Sequence, residues 1–479
     1  MTALQAPRDV VTRLWRDAAL DPSALERLTL SGQEPALPSS FAVGTAAQAS
    51  LAVAALAASE IGRARNGLAQ DVTVPMQDAA MECLSWFSID GRTPPAWDKL
   101  SGLYRCADGW VRVHANFAHH RDGVLRLLGL AEGPDTPRSA VEAALVTRSA
   151  LAFEQAAADA NLVVAAVRTQ AVWDAHPQGQ AVVSQPLLVW EKLGEAPPQP
   201  WAPLAADQRP LSGLRVLDLT RILAGPICGR TLAAYGADVL LVNSPQLPNI
   251  ESIIETSRGK LSCLLDLDDA AAREQLRGLL AGADVFIQGY RPGGLAERGF
   301  GPADAARLRP GIVCVSLSAY GQVGPWSGRR AFDSLVQSAS GFNDAERIAA
   351  GGDTPKALPT QILDCATGFL MAFAAQAGRL RQAREGGSWL VRLSLAQTGH
   401  WVRGLGSVTN GMAFKAPPVA DFVQAFDSGW GQLVALRHAA RFSDTPAGWD
   451  RPSVRPGSHA AAWPGRPGDQ PAANPASSS

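Results

Sequence analysis

Short apolar segments alternate with helical segments between residues 214 and 320, and this alternation constrains the fold more than any other feature. The segments LRVLDLT, ADVLLVN, SCLLDL, DVFIQGY and GIVCVSLSAY are apolar along most of their length, as is typical of strands buried on both faces. Strands that alternate with helices form a parallel sheet with helices on both sides. The pattern therefore predicts an α/β fold with a doubly wound parallel sheet.

Ligands of such sheets bind at the carboxyl ends of the strands. The loops found there are TRILAGP, NSPQLPN, QGYRPGG and SAYGQVGP, all rich in Gly and Pro. No GxGxxG follows the first strand, so a dinucleotide site is not expected. Walker A, GxSxG and HExxH motifs are also missing from the sequence, which removes the commonest phosphate-loop, serine-hydrolase and zinc-protease interpretations.

The apolar, Ala-rich stretch ALPTQILDCATGFLMAFAAQAGRL at residues 357–380 contains a single acidic residue, Asp364. The simplest interpretation is a helix N-cap, because an aspartate oxygen accepts a backbone N–H that the helix leaves free. A functional carboxylate is the alternative, and the stretch taken alone does not decide between them.

Two segments of the chain resemble each other. Residues 44–79 and 363–398 both contain an Ala-rich helix with an Arg-rich end, a Gly turn, a short strand and a second helix. The first copy has Gly44 or Thr45 where the second has Asp364. Shared architecture and chance similarity of Ala-rich helices are both open explanations.

Composition and charge restrict the partners. A formal net charge of −1 over 479 residues does not favour nucleic acid or an anionic membrane. Six cysteines without a CxxC pair suit reduced thiols, and the N-terminus lacks a secretory pattern, so we expect a cytoplasmic protein. The Ala-rich run at 41–62 includes Gln48 and Glu60 and predicts a buried helix, not a membrane span.

One histidine cluster stands out in VRVHANFAHHRDG, which contains His114, His119, His120 and Asp122. A metal site is one interpretation, but a structural or surface role is favoured, and no metal is predicted.

The second half resembles the class III CoA-transferases, the family of formyl-CoA and carnitine CoA-transferases. The resemblance covers 211–400 and rests on motifs in the family's order, which are LSGLRVLDLTRILAGPICGRTLAAYGADVLLV, SRGKLSCLLDL, ADVFIQGYRPGGLAERGF, PGIVCVSLSAYGQVGPW, RRAFDSLVQSASGF and LDCATG. It implies a Rossmann-like CoA-binding domain, a smaller α+β domain and a homodimer. CoA and acyl-CoA are implied as substrates and not as a permanently bound cofactor.

The family's catalytic group is one Asp at the start of the helix after the nucleotide-binding half, and Asp364 occupies that position. The resemblance implies that this carboxylate attacks an acyl-CoA to form a mixed anhydride and then an aspartyl-CoA thioester. A small carboxylic acid would be the acceptor. Such covalent catalysis divides one difficult exchange into easier steps. We expect the helix N-terminus to keep the carboxylate ionised at neutral pH.

The resemblance also implies contacts with CoA. Ile222 follows the first strand and is expected near the adenine, and cationic groups suit the phosphates. The expected CoA-binding residues are Ile222, Lys260, Tyr290, Arg291, Arg298 and Arg330. A solvated surface charge is the alternative for each cationic residue. The chain departs from the family at Asn243, Ser244 and Pro245, where an acidic residue followed by Pro or Arg is usual, and it lacks a Gly-only active-site loop.

The first half resembles the same family out of order, so the layout looks permuted or partly duplicated. Residues 102–117 and 153–187 resemble the start and end of the family's small domain. We therefore divide the chain into an N-terminal extension (1–40), a transferase-like segment with the small domain and no catalytic Asp (41–205), the Rossmann-like CoA-binding domain (206–345), the catalytic helix and closing segment (346–460) and a disordered tail (461–479).

Other functions on the same fold are alternatives. Related acyl-CoA racemases use a His–Asp pair, but Phe332 stands where that His is expected. An acyl-CoA isomerase that needs only the Asp, and a non-catalytic CoA-binding protein, stay open. The sequence does not identify the acyl donor or the acceptor acid.

Overall fold

The structure, a computed structural model, describes residues 3–205, 207–291 and 293–465. Its α-helices are α1 Pro7–Asp17, α2 Val43–Asn66, α3 Met76–Glu82, α4 Ala118–Leu128, α5 Arg138–Leu145, α6 Ala150–Asp159, α7 Gln170–Ala175, α8 Pro177–Val183, α9 Ala224–Ala234, α10 Ser252–Thr256, α11 Ala270–Ala281, α12 Pro302–Leu308, α13 Asp333–Ala339, α14 Phe342–Ala349, α15 Ile362–Glu385 and α16 Leu395–Gly404. No helix in these residues is long and apolar enough to cross a membrane.

The strands are β1 Leu28–Ser31, β2 Val72–Pro75, β3 Phe87–Ile89, β4 Gly102–Arg105, β5 Trp110–Val113, β6 Val164–Ala166, β7 Val189–Gly194, β8 Arg215–Leu219, β9 Asp238–Asn243, β10 Lys260–Leu264, β11 Val285–Gln288, β12 Val313–Ser318, β13 Ser388–Ser394, β14 Val423–Phe426, β15 Leu433–Leu436 and β16 Arg441–Phe442. Short 3₁₀ turns connect several of them.

The main sheet has seven strands in the order β10-β9-β8-β11-β12-β13-β7. Strands β8 to β13 pair in parallel, and only the edge strand β7 runs antiparallel, against β13. The six parallel strands have the classical doubly wound order, which reverses direction between β8 and β11. The predicted α/β fold is therefore confirmed, and the reversal places a ligand crevice beyond the carboxyl ends of β8 and β11.

Both faces of the sheet are buried, and alternate residues along each strand pack into the hydrophobic cores on its two sides. Val216, Val285 and Val313 belong to a core that includes α9 and α15. Their neighbours Leu217 and Phe286 belong to a second core with α11. This double burial explains why the strands appear in the sequence as nearly continuous apolar runs.

The internal similarity reflects shared architecture. The α2-β2-α3 unit and the α15-β13-α16 unit have the same order, and α2 and α15 are both 24 residues long. The residues before the two helices, Ala42 and Gln361, have nearly identical backbone angles, with φ of −76° and −77° and ψ of 60° and 62°. The two helices pack directly against each other in the main core.

The small domain is a three-stranded antiparallel sheet, β4-β5-β6, covered by α4, α5 and α6 around its own core. It lies in the first half of the chain, with its strands between residues 102 and 166. Strands β5 and β6 also contact α13 of the second half. The small domain of the first half and α13 of the second half thus meet at the site described below.

Segments outside the predicted domains also take part in the core. Val10, Val11 and Leu14 of α1 are buried, and Trp15 stacks on Phe373 of α15 with ring centroids 5.9 Å apart. Residues 1–40 therefore contain more than a peripheral extension. In the predicted tail, Trp463 donates its indole N–H to the Leu279 carbonyl at 2.9 Å, while residues 466–479 lie outside the described residues.

A buried ionic network joins three distant parts of the chain through Glu82. Its carboxylate accepts hydrogen bonds from Arg230 at 3.0 Å and from the Ala439 N–H at 2.9 Å, and it contacts the His438 ring at 3.1 Å. Burial alone would raise the pKa of Glu82, but His438, Arg230 and the Ala439 N–H lower it to about 2. The ionised carboxylate holds α3, α9 and the C-terminal segment together.

Removal of the first half should prevent the second half from folding into a soluble domain. A chain of residues 206–479 lacks α2, β7 and the small domain, so it exposes the face of α15 that packs on α2 and an edge of β13. Exposed apolar faces and unpaired strand edges lead to aggregation. We expect this chain to be insoluble, as measured by soluble yield and light scattering.

The matched control is a chain that ends at residue 465, which keeps every described element and should stay soluble. A monodisperse, cooperatively melting 206–479 chain would show that the first half is an appendage.

Candidate active site

Asp364 is the third residue of α15, not its N-cap. The N-cap is Gln361, whose side chain makes no capping hydrogen bond. Asp364 is 7% exposed, and the nearly enclosed surroundings of its carboxyl are called the recess below. The capping interpretation of this residue is therefore wrong, and the buried carboxyl needs another explanation.

A second carboxylate, Asp333 at the start of α13, lies directly in front of α15. Its Oδ2 accepts the backbone N–H of Asp364 at 2.9 Å, and the Leu363 N–H also stabilises it. The Gln337 side chain donates to its Oδ1. The free N–H groups at the start of α15 thus donate hydrogen bonds to Asp333. No described residue donates a hydrogen bond to the Asp364 side chain.

The two carboxyl groups cannot both be ionised at low cost. Burial, followed by the charge of Asp333, raises the pKa of Asp364 well above its usual range. Burial also raises the pKa of Asp333 to about 7, although three donors oppose the shift. Asp333 therefore carries the charge more readily, and Asp364 holds the proton in the ligand-free protein. The expectation that a helix terminus keeps Asp364 ionised is wrong, because the donors of that terminus point at Asp333.

Cys365, the neighbour of Asp364, is a buried thiol. It is 1% exposed, and its Sγ donates to the Cys83 carbonyl at 3.4 Å. That hydrogen bond and burial raise the pKa of the thiol well above its usual range. A protonated, enclosed thiol is a poor nucleophile, so Asp364 is the reactive candidate of the two.

The small domain forms the opposite wall. The His114 ring stacks on Phe332, the residue before Asp333, at 4.1 Å between centroids. Phe117 and His120 lie 6.3 and 6.2 Å from the same ring. Burial lowers the pKa of both His114 and His120 to about 3, so both rings are neutral. No metal-binding group of three or more ligands occurs among the described residues.

A crevice opens at the point where the strand order reverses. It is lined by the loop after β8, the end of β9 and α10, including Thr220, Ile222, Asn243 and Ser252. Ile222 has a left-handed backbone with φ of 77°, which is strained for a β-branched residue and typical of ligand-clamping loops. Asn243 is 2% exposed, and neither polar atom of its side chain has a partner.

Three arginines gather between this crevice and the small domain. Burial lowers the pKa of Arg330, and the charges of Arg291 and Arg221 lower it further, which shows that the three cations lie close together. Tyr290 lies within electrostatic reach of Arg221. Arg221 was missed by the sequence reasoning, although its position directly after Thr220 in TRILAGP could have indicated it.

Contacts between side chains connect the arginines to the carboxylates. The Arg221 guanidinium lies over the Phe117 ring at 5.6 Å, and Phe117 in turn approaches Phe332. The site is therefore elongated, with a polar crevice at one end, cations in the middle and a buried carboxyl pair at the other end. Such an arrangement suits a long anionic ligand that delivers a reactive group to Asp364.

Two predicted CoA-binding residues already have aspartate partners. Lys260 is fully buried and pairs with Asp218 at 2.8 Å, and it also donates to the Pro226 carbonyl at 2.8 Å. Arg298 is an exposed surface residue that pairs with Asp268 and lies within electrostatic reach of Tyr290. The structure brings Ile222, Tyr290, Arg291 and Arg330 together with Arg221, whereas Lys260 has no exposed surface.

The first copy of the repeat repeats the geometry but not the chemistry. Thr45 is the third residue of α2 and corresponds to Asp364. Its N–H donates to Glu34 at 2.6 Å, as that of Asp364 donates to Asp333. Thr45 is completely buried, and its hydroxyl has no partner.

A match to one family model identifies the family of this chain. A family profile described as CoA-transferase family III matches residues 23–199 and 211–421. An acyl-CoA transferase of Gibberella moniliformis is 31% identical over 335 residues, which are 63% of this chain and 58% of that protein. A succinyl-CoA:glutarate CoA-transferase of Mus musculus is 34% identical over 194 residues, 38% of this chain and 44% of that protein.

A crystal structure of a CAIB/BAIF family protein from Brucella suis is 27% identical and covers 47% of this chain and 65% of that chain, with a TM-score of 0.36. The chain spans about half the length of the curated relatives it matches.

Replacement of Asp333 by Asn should lower the pKa of Asp364. The substitution removes the adjacent negative charge, while the amide oxygen can still accept the Asp364 N–H. A carbon-13 NMR titration of aspartate carboxyls follows the Asp364 signal, identified by its loss in D364N. We expect its midpoint to move to lower pH by roughly one unit or more, the usual effect of a removed like charge.

Asp344→Asn is the control, because Asp344 pairs with Arg347 on α14 and should leave the midpoint unchanged. An unchanged or higher midpoint in D333N would contradict the coupling of the two carboxyls.

Proposed function

The chain belongs to the family III CoA-transferases, and on that premise we propose that it moves CoA from an acyl-CoA thioester to a carboxylic acid. The observation that carries this proposal is Asp364, a buried carboxyl at the end of an elongated cationic site. A carboxylate without competing hydrogen bonds is available for attack on a carbonyl carbon.

The proposed reaction has two covalent intermediates. An Asp364 oxygen attacks the thioester carbonyl and CoA leaves as thiolate, which gives an acyl-aspartyl anhydride. The thiolate then attacks the aspartyl carbonyl and expels the donor carboxylate, which gives an aspartyl-CoA thioester. The acceptor carboxylate repeats the two steps in reverse order and leaves as the new acyl-CoA, and Asp364 is regenerated.

Asp364 must lose its proton before the first attack, and Asp333 is the adjacent base. Because the pKa of Asp364 is raised well above its usual range and that of Asp333 to about 7, Asp364 keeps its proton more readily and Asp333 is partly ionised near neutral pH. Transfer of that proton from Asp364 to Asp333 leaves the net charge of the recess unchanged. We propose that this exchange activates the nucleophile without exposing a second buried charge.

We propose that CoA lies along the cationic side of the site. The crevice at Ile222 and Asn243 would accept the adenine, where the unpaired Asn243 amide can bond its polar edge. Arg221, Arg291 and Arg330 would bind the phosphates, with Tyr290 beside them. Lys260 and Arg298 are omitted because both already pair with aspartates.

Two alternatives on the same fold, the racemase and the non-catalytic protein, are disfavoured by the same geometry. A racemase needs acid–base groups on both faces of the α-carbon, and Phe332 supplies none. A non-catalytic CoA-binding protein leaves the buried Asp364 unexplained. The homodimer expected from the resemblance stays a prediction, and within one chain the small domain already faces Asp364.

Asp364→Asn should abolish turnover while the fold is kept. The amide has the size of the neutral carboxyl that the recess already holds, so we expect the free energy of unfolding to change by no more than about 1 kcal/mol. Loss of a covalent nucleophile should reduce turnover by at least roughly a thousandfold. A panel of acyl-CoAs and carboxylates, followed by mass spectrometry, measures the exchange.

Wild-type protein incubated with acyl-CoA and no acceptor, then quenched with hydroxylamine or borohydride, should carry the label on the peptide with Asp364. The peptide with Thr45 is the internal control and should stay unlabelled. Near-normal turnover of D364N, or a label on Cys365, would refute the assignment.

The protein should not exchange the α-hydrogen of its substrate. Incubation of a 2-methylacyl-CoA in deuterated water, followed by mass spectrometry, should leave the α-position protiated, because Phe332 has no exchangeable proton. Enzyme-dependent deuterium uptake would support the racemase alternative and would direct attention to His114, the imidazole stacked on Phe332.

A further inference from the structure

Two adjacent histidines at the start of α4 in the small domain lie beside the cationic part of the site. The helix begins after Phe117, whose side chain makes no capping hydrogen bond. The ring centroids of His119 and His120 are 4.1 Å apart, and the Phe117 ring lies 5.6 and 5.5 Å from them. The Arg221 guanidinium lies over the same Phe117 ring at 5.6 Å. The positive end of a helix and two imidazoles therefore adjoin the arginines.

The two histidines differ in exposure. His119 is exposed, whereas His120 is 4% exposed and neither of its ring nitrogens has a hydrogen-bond partner. The neutral His114 ring lies 6.5 Å from His120, and the charged residues that follow on α4, Arg121 and Asp122, pair with each other at 2.8 Å. Most buried polar atoms in proteins are hydrogen-bonded. The unpartnered imidazole at this helix end therefore indicates a polar ligand.

The charges that face the two histidines are all positive. Burial, followed by Arg330 and Arg221, lowers the pKa of His119. Burial, followed by His119, Arg330 and Arg221, lowers the pKa of His120 to about 3. No acidic side chain opposes either shift. Arg291 adds its charge to that of Arg330.

His400 on α16 shows how a histidine beside an arginine is compensated elsewhere in the protein. Burial and Arg403 lower the pKa of His400, and Asp174 opposes the shift. Asp174 also accepts two hydrogen bonds from Arg403 at 2.7 Å. His119 and His120 have no comparable carboxylate. Uncompensated cations that line a cleft favour the binding of an anion.

The location of these groups matches the order of the parts of CoA. Arg221 lines the crevice proposed for the adenine. Phe117 lies between Arg221 and Phe332, the residue before Asp333. The diphosphate of CoA connects its adenosine to its pantetheine arm. It therefore falls beside the histidines when the adenine is in the crevice and the thioester is at Asp364.

We propose that His119 and His120, together with Arg221 and Arg330, bind the diphosphate of CoA, and that His119 takes up a proton as CoA binds. This inference rests on the proposed function. The bound anion offsets the charges of the arginines, so the exposed His119 ring accepts a proton from the solvent and gains a second N–H donor. His120 stays neutral because its burial persists, and it donates its one N–H.

Dephospho-CoA is the probe, because its diphosphate keeps two negative charges and it has no group that titrates near pH 6.5, the ordinary pKa of histidine. Calorimetric titrations of the wild-type protein are run in bis-Tris, ACES and imidazole buffers. The change of the observed heat with the ionisation enthalpy of the buffer gives the number of protons taken up. We expect roughly half a proton or more per ligand near pH 6.5 and almost none near pH 8.5.

Three variants assign the effect. H119N should abolish the proton uptake and weaken binding near pH 6.5 by about tenfold, the value of a hydrogen bond to a charged group. The loss should be smaller near pH 8.5, where His119 is neutral in both states. H120F keeps the ring but loses the N–H, so it should weaken binding at both pH values and keep the proton uptake. H400N is the matched control and should change neither quantity.

Pantetheine, which lacks the diphosphate, should bind without proton uptake. Uptake that is absent from the wild-type protein, that survives H119N or that also accompanies pantetheine would overturn the inference. Binding by H120F as tight as that of the wild type would overturn the assignment of His120. Asp364-dependent exchange without His119-dependent uptake would refute the inference alone. His119-dependent uptake without any exchange would refute the transferase and leave the phosphate site standing.

Discussion

The packing of α2 against α15 is the constraint on which the remaining structure depends. Both helices are buried along most of their length, and α2 is rich in Ala, which lets the two backbones approach closely. Gln376 crosses the contact and donates to the Ala54 carbonyl at 3.0 Å. Because one helix belongs to each half of the chain, this contact fixes the halves together and brings the small domain opposite Asp364.

The repeat also shows that the surroundings of Asp364 belong to a structural arrangement that occurs in both copies. In both copies an acidic side chain accepts the N–H of the third helical residue, Glu34 for Thr45 and Asp333 for Asp364. In the first copy the space is filled, since a Cβ on Gly44 would lie 2.7 Å from Ala36. In the second copy Asp333 takes the place of Glu34, and the third helical residue is Asp364, which is 7% exposed.

Local pattern was enough to predict the strands and helices of 214–320 and to single out Asp364, because continuous apolar runs and a lone acid in an apolar helix are visible in the sequence. Partnerships between distant residues were not visible. Lys260 was predicted to bind CoA, with a surface charge as the alternative, but it is buried and pairs with Asp218 of another strand. The proton on Asp364 depends on Asp333, which lies on a different helix.

The charges of Asp333, Asp364 and Arg112 come from distant parts of the sequence and interact with one another around the recess. An enclosed site tolerates one compensated negative charge far better than two, and three donors together with the attraction of Arg112 favour that charge on Asp333. A neutral Asp364 therefore costs little while the site is empty. In the proposed reaction, an internal proton transfer would produce the nucleophile once an acyl group is bound, since no charge has to enter from solvent. That transfer requires α13, which supplies Asp333, to stay in contact with α15, which supplies Asp364, and the hydrogen bond from the Asp364 N–H to Asp333 joins the two helices.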